Sequence, residues 1–320
     1  MGQKEFNRRT FIKGSVLMMA ALGEFNMNLV KAFASPELLP VPYSSGTESP
    51  CFKVPAKAAD CHHHIYNSNF PVDPKSTLRH PDASVADYRL LQKRLGTSRN
   101  VVVQPSTYGV DNRGLVDALQ TFGLENTRGI AVVNTEVTDA ELEQLDKAGV
   151  RGIRFNMSVP GDAAGMDMVE TLSNRVHELG WHIQVVAKPD TIAAGQSLWE
   201  NIPCPVVFDH LGHITHMEHP AFQLILNLAK EGKAWVKLSG AYILSKTGAP
   251  AYADRTAVAS TFVEEIPDRL VWGSDWPHPT AKLNGKPDDA VLMNLLAVWA
   301  PDETVRNRIL VENPEKLYGF

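Results

Sequence analysis

The strongest constraint on this chain is a recurring alternation of short β-branched apolar runs with amphipathic helical stretches. From residue 57 onward, strands are expected at Lys57–Ile65, Asn100–Ser106, Gly129–Asn134, Val150–Asn156, His182–Ala187, Val206–His210, Trp235–Ser239 and Leu270–Ser274. Helices are expected between them, among others at Val85–Leu95, Asp139–Ala148, Gly165–Leu179, Ala221–Lys230 and Tyr252–Glu265. Thr138 and Glu141 form a capping box at one helix start, and Gly96, Gly149 and Gly180 stand where helices should stop. Eight βα units within roughly 260 residues fit an α/β chain closed into a (β/α)8 TIM barrel. The competing doubly wound sheet lacks its phosphate-binding signature, since no G-x-G-x-x-G follows any of these strands.

The segment ahead of the barrel reads as an address and a tether. Asn7-Arg8-Arg9-Thr10-Phe11 is a twin-arginine pattern, followed by a modestly apolar stretch over Gly14–Gly23. Ala32-Phe33-Ala34 supplies an A-x-A cleavage site. Residues 1–34 are therefore expected to be a signal peptide for the twin-arginine (Tat) export machinery, which predicts a periplasmic protein. The apolar run is too short for a stable membrane anchor, and Glu24 follows it. Residues 35–56, rich in Pro, Ser and Gly, are expected to be a linker or wrapping arm, with the barrel domain at 57–320.

Charge and cysteine content narrow the function classes. The 320 residues carry 31 Lys plus Arg against 36 Asp plus Glu, a formal net charge of -5, which gives no electrostatic support for nucleic-acid binding. Cys51, Cys61 and Cys204 form no CxxC pair, so neither a disulfide framework nor a cysteine-type zinc site is indicated. The expected partner is a small molecule.

Active sites of such barrels are built at the C-terminal ends of the strands, and reactive residues collect there. Strand one ends Asp60-Cys61-His62-His63-His64. Period-two alternation places His62 and His64 on one face, with Asp60 deeper on the same side. It turns His63 to the helix layer and makes Cys61 an out-of-phase packed thiol. Strand six ends Phe208-Asp209-His210 and strand eight ends Ser274-Asp275. A carboxylate at the end of an apolar strand is costly without a metal, a histidine or an arginine beside it. His62, His64, His210 and Asp275 thus form a candidate catalytic set. Gln104 and Ser106 end strand two in phase, and Lys237 shares a face with Ser239, so all three are candidates for binding substrate. The spacing His210, His213, His216, His219 reads as a loop, because Gly212 and Pro220 punctuate it. Lys188 reads as a solvated rim residue.

These stretches carry a family resemblance. The chain resembles the amidohydrolase-related group of the amidohydrolase superfamily over about residues 57–318, nearest the branch of 2-pyrone-4,6-dicarboxylate lactonase and D-galactarolactone isomerase. Seven segments carry it in barrel order: 60–66, 103–106, 152–156, 208–212, 236–240, 271–278 and 312–314. The resemblance implies catalytic positions at His62, His64, His210 and Asp275, and a substrate-binding position at Arg154. Where many relatives carry an arginine after Ser239-Gly240, this chain reads Ala241-Tyr242-Ile243-Leu244. A doubly charged substrate would lose a bidentate partner there, so one carboxylate, or a neutral lactone, fits better.

The expected activity is hydrolysis of a small lactone or cyclic ester. In one version Asp275 is the general base and three histidines polarise the carbonyl. In the other, His62, His64, His210 and Asp275 bind one divalent ion, zinc by donor type, which activates the water. With no further histidine on strand seven and no evident bridging lysine, a two-metal site is not expected. A sugar-acid lactone isomerase and a non-catalytic periplasmic binding barrel are the alternatives.

Overall fold

In the computed structural model, residues 40–158 and 165–320 are described. The expected signal segment lies outside the described residues. Eight parallel strands hydrogen-bond in sequential order: β1 (Ala59–His63), β2 (Arg99–Val103), β3 (Thr127–Ala131), β4 (Val150–Asn156), β5 (His182–Val186), β6 (Val206–Phe208), β7 (Ala234–Leu238) and β8 (Leu270–Trp272). Helices follow the strands, which is the (β/α)8 barrel expected from the alternation. The Thr138–Glu141 capping box is present at the helix Asp139–Lys147. No helix among the described residues is long and apolar enough to cross a membrane. Six of the eight expected strands are shorter than the apolar runs suggested, and two of the differences bear on the site. The second ends at Val103 and enters a short 3-10 turn at Ser106–Tyr108, and the sixth ends at Phe208.

Residues 40–56 lie against the barrel domain. Trp276 Nε1 donates to the Pro42 carbonyl at 2.7 Å, and Tyr43 donates to the Asp82 carbonyl at 2.6 Å. Arg94 donates to Gly46 at 2.8 Å, and the Cys51 amide to Asn294 at 2.7 Å.

The barrel interior is packed by alternate residues of the strands. Ala59, Cys61, Val101, Val103, Ile130, Val207, Trp235 and Val271 form one buried cluster with Tyr318 of the C-terminal helix. Cys61 therefore points inward, and Asp60 does not, which corrects the simple alternation expected for strand one. The cause is a β-bulge: Asp60 pairs with Asn100 but His63 pairs with Val102, three steps against two. The extra residue lets Cys61 and His62 both face the interior while Asp60 and His63 face the helices. Tyr88, on the helix Val85–Leu95, donates its hydroxyl to Asp60 Oδ2 at 2.9 Å and stacks on the His63 ring at a centroid distance of 3.5 Å.

Asp60 also closes the barrel seam between β8 and β1. Its Oδ1 accepts from the Ser274 amide at 2.9 Å and the His62 amide at 3.1 Å. Higher up, the Asp275 amide donates to the His62 carbonyl, and the His64 amide to the Trp276 carbonyl, both at 2.8 Å. Gly273 permits this approach, because a Cβ there would stand 2.6 Å from the His62 Cβ. Burial lifts the Asp60 carboxyl to about 6, against the pull of the Ser274, His62 and Tyr88 donors, so it is ionised at neutral pH. Asp60→Ala would strand three buried donors, each costing about 1–3 kcal/mol. Urea unfolding should show a loss of about 3 kcal/mol or more, and a loss below about 1 kcal/mol would mean that the seam does not depend on this carboxylate.

Candidate active site

The mouth of the barrel is shaped by residues that leave their strands in left-handed backbone conformations. β6 ends at Phe208, and His210, Leu211, Gly212 and His213 then take φ of 52°, 59°, 59° and 54°. Asp275, just past β8, has φ 64°. Non-glycine residues in this region carry a cost of order 1–3 kcal/mol each, sustained only where the surroundings over-determine them. At Gly212 a Cβ would lie 2.6 Å from Ile225 Cδ1, so any side chain there would add a displaced Ile225 to the left-handed backbone strain. The turn swings the His210 ring toward the mouth, where it sits 4.7 Å from the His62 ring.

Three imidazoles converge on one carboxylate oxygen. Asp275 Oδ1 lies 3.5 Å from His62 Nε2, 3.4 Å from His64 Nε2 and 4.0 Å from His210 Nε2. Tyr242 donates its hydroxyl to the other oxygen, Oδ2, at 2.6 Å. Burial alone would raise the Asp275 pKa, but His210, His64 and His62 outweigh it and hold the carboxyl well below the usual carboxylate range. Burial pushes the His62 ring well below its ordinary value and the His210 ring in the same direction, so both stay neutral at pH 7.

Beneath this set lies an ionic layer in which Asp209 and Lys237 are wholly buried and Arg154 reaches the cavity. Asp209 accepts from Arg154 Nε at 2.9 Å through Oδ2, and its Oδ1 stands 3.2 Å from Lys237 Nζ. Lys237 Nζ is also 2.7 Å from Gln184 Oε1 and 2.9 Å from His62 Nδ1. Against its burial, the Lys237 and Arg154 side chains keep the Asp209 carboxyl well below the usual carboxylate range. His62 Nδ1 also stands 3.5 Å from Asp209 Oδ1, but the 2.9 Å contact to Lys237 is the hydrogen bond.

The partners assign the ring protons. His64 Nδ1 lies 2.8 Å from the Val103 carbonyl, which only accepts, so in the neutral ring Nε2 presents a lone pair. His62 Nδ1 faces an ammonium, which only donates, so its proton sits on Nε2 and points at Asp275. His210 Nδ1 lies 2.9 Å from the Ser239 hydroxyl, which serves as donor or acceptor.

A cavity of about 110 Å³ opens on this floor, lined by His64, Tyr66, Ser106, Arg154, His210 and Asp275 among others. A groove of about 570 Å³ shares Ile243 and Thr280 with its wall. A larger cavity of about 810 Å³ flanks the helices Arg113–Phe122 and Asp139–Lys147 and contains none of the four candidate catalytic residues.

Of the residues singled out in the sequence, the structure brings together His62, His64, His210 and Asp275, with Arg154 and Ser106 in the same cavity wall. Two others do not reach it. Gln104 is fully buried and donates to the Asp111 carbonyl at 2.7 Å, because β2 has ended and the phase with Ser106 is lost. Lys237 does face inward, but its ammonium sits a layer below the mouth with His62, Gln184 and Asp209 as its partners. His219 caps the helix Pro220–Lys230 and pairs with Asp190, whereas His213 lines the cavity. Lys188 is exposed, as a rim residue should be. Sequence reasoning missed Asp209 and Tyr242. The period-two rule applied to Val207 would have turned Asp209 inward; Tyr242 lies on a loop, where periodicity carries no signal.

His62, His210 and Asp275 offer ligand atoms within 4.8 Å of one another, the one grouping of metal-ligand type found among the described residues. The family model described as Amidohydrolase matches residues 59–320. A 2-pyrone-4,6-dicarboxylate hydrolase of Comamonas testosteroni is 38% identical over 84% of this chain and 92% of that protein. A 4-sulfomuconolactone hydrolase of Rhizobium radiobacter is 35% identical over the same shares of the two chains. An apo crystal structure from Agrobacterium tumefaciens superposes with a TM-score of 0.79 at 29% identity, covering 87% of this chain and 98% of that one. A barrel with two strand-one histidines, a strand-six histidine and a strand-eight aspartate at its mouth, matched over nearly its whole length, belongs to the amidohydrolase family.

Proposed function

We propose that the chain hydrolyses the ring ester of a small lactone bearing at most one carboxylate, with Asp275 as the general base. The observation that carries this reading is the convergence of His62, His64 and His210 on Asp275 Oδ1, in a cavity whose one permanent cation among the described lining residues is Arg154. The lactone hydrolases among its relatives support the reaction class. Arg154 would take the substrate carboxylate with its free guanidinium nitrogens, Nε being held by Asp209.

The chemistry follows from the proton assignments. A water placed before Asp275 Oδ1 is oriented by donating one of its protons to that oxygen. Tyr242 occupies Oδ2 and leaves Oδ1 to take the water proton as the oxygen attacks the lactone carbonyl carbon. The carbonyl electrons move onto oxygen, where the His62 Nε2–H donates to the developing charge. When that intermediate collapses, the ring C–O bond breaks and the proton on Asp275 passes to the departing oxygen. One water is added, a hydroxy acid or its keto tautomer leaves, and Asp275 is ionised again.

A divalent ion does not fit this donor set as it stands. A histidine that ligates through Nε2 carries its proton on Nδ1 and donates it to an acceptor, and His62 has the opposite arrangement. The reading therefore uses no step through a metal.

The test is a lactone panel followed by acid release with product analysis, which separates hydrolysis from isomerisation and from binding alone. On a turned-over lactone, Asp275→Asn keeps the shape but removes the base, so kcat should fall by about 10²–10⁴-fold. Near-normal kcat in a folded Asp275→Asn variant would rule out the assignment. Arg154→Met should mainly raise KM for a carboxylate-bearing lactone, because uniform binding is lost. An unchanged KM would make the true substrate neutral.

We also propose that the protein is exported by the twin-arginine machinery, on the strength of Arg8-Arg9 and Ala32-Phe33-Ala34. Replacing both arginines by lysine should hold the precursor in the cytoplasm. Undiminished mature protein in the periplasmic fraction would overturn this.

A further inference from the structure

His62 is the one imidazole of the catalytic set whose second nitrogen faces a cation. The ammonium that faces it is held by two hydrogen bonds and an ion pair: Lys237 Nζ lies 2.9 Å from His62 Nδ1 and 2.7 Å from Gln184 Oε1, and 3.2 Å from the Asp209 Oδ1 carboxylate oxygen. Lys237 and Asp209 side chains are wholly buried, so water does not compete for these bonds. An acceptor able to reverse the arrangement already stands nearby. Asp209 Oδ1 is 3.5 Å from His62 Nδ1, and the Lys237 ammonium occupies the same oxygen.

We propose that Lys237 is a positioning residue that locks His62 as an Nε2–H donor, and that this lock is what keeps a divalent cation out of the His62–His210–Asp275 cluster. The spacing of the cluster would otherwise suit an ion. Asp275 Oδ1 lies 3.5 Å from His62 Nε2 and 4.0 Å from His210 Nε2, with all three ligand atoms within 4.8 Å of one another, so a modest contraction would bring them onto the edges of a tetrahedron around zinc with bonds of about 2.0–2.1 Å. Without the ammonium, Asp209 becomes the polar group nearest to His62 Nδ1. The ring proton moves to Nδ1 and is donated to Asp209, and Nε2 is left as a free ligand. The result is the carboxylate–histidine–metal arrangement that supports bound ions elsewhere. Arg154 continues to pair with Asp209 through Oδ2, so the carboxylate is not abandoned in the core. One buried side chain thus decides whether this mouth presents a proton to a carbonyl oxygen or a lone pair to a cation.

The proposal rests on the metal-free reading of the site, and its test needs no substrate, so a wrong lactone assignment cannot be mistaken for its failure. Titrating the full-length wild type with zinc, and with cobalt followed by visible spectroscopy, should show no stoichiometric site. Lys237→Met, checked for folding by circular dichroism, should bind one zinc per chain about 10–100-fold or more tighter than wild type. Its cobalt spectrum should be lost in the Lys237→Met/Asp275→Asn double variant. In the wild type itself, one-bond ¹⁵N–¹H coupling should place the His62 proton on Nε2, a measurement that stands even if the variant does not fold. A wild-type proton on Nδ1, stoichiometric zinc in the wild type, or a folded Lys237→Met with no gain in affinity would each overturn the proposal.

Discussion

Everything at the mouth of this barrel hangs on how its last strand meets its first. The Asp60 carboxylate holds the amides of Ser274 and His62 together at the seam, and the bulge beside it turns His62 inward. Three of the four convergent residues, His62, His64 and Asp275, come from the two strands that this seam joins. Their 3.4–3.5 Å separations are therefore a property of barrel closure rather than of local side-chain choice. Gly273 is part of the same device, because any side chain there would force β8 away from β1.

The second requirement is electrostatic. Around His62 two basic side chains, Arg154 and Lys237, face two carboxylates held well below the usual carboxylate range, Asp209 and Asp275. Burying any one of these alone would cost several kcal/mol. Here the charges balance, and hydrogen bonds to Gln184, Tyr242 and the imidazoles satisfy much of what remains. Asp209 is the hub, since it pairs with both the cation that faces the cavity and the one that lies 2.9 Å from His62 Nδ1. The wall of the cavity and the His62 ring are thus joined through one carboxylate.

Much of this was legible in the residue order. Alternating apolar runs and amphipathic stretches predicted eight strands in a barrel, because burying both faces of a parallel sheet leaves a pattern that few other folds share. The histidines at the end of strand one and the aspartate at the end of strand eight stood out because polar residues there terminate apolar runs. Arg154 was singled out by the family resemblance, and it stands in the cavity wall. Gln104 and Lys237 show the limits of the same reasoning. Alternation assigns a face but not a depth, so Lys237 was expected at the mouth although its ammonium ends a layer below. It also assumes an unbroken strand, and β2 stops before Gln104.

The sequence by itself determined the barrel, the strand ends at which chemistry would gather, and four of the side chains that meet there. Those follow from hydrophobic periodicity and chain order, which are local. The tertiary structure alone decided which neighbours each polar atom meets across the barrel. No spacing in the chain announces that Asp209 would pair with both Arg154 and Lys237, that Tyr242 would reach Asp275, or that a bulge would turn Asp60 out to Tyr88. Contacts across the barrel join residues as far apart as Asp60 and Ser274, 214 positions. They exist only once eight strands have closed, because closure brings the distant partners within hydrogen-bonding reach.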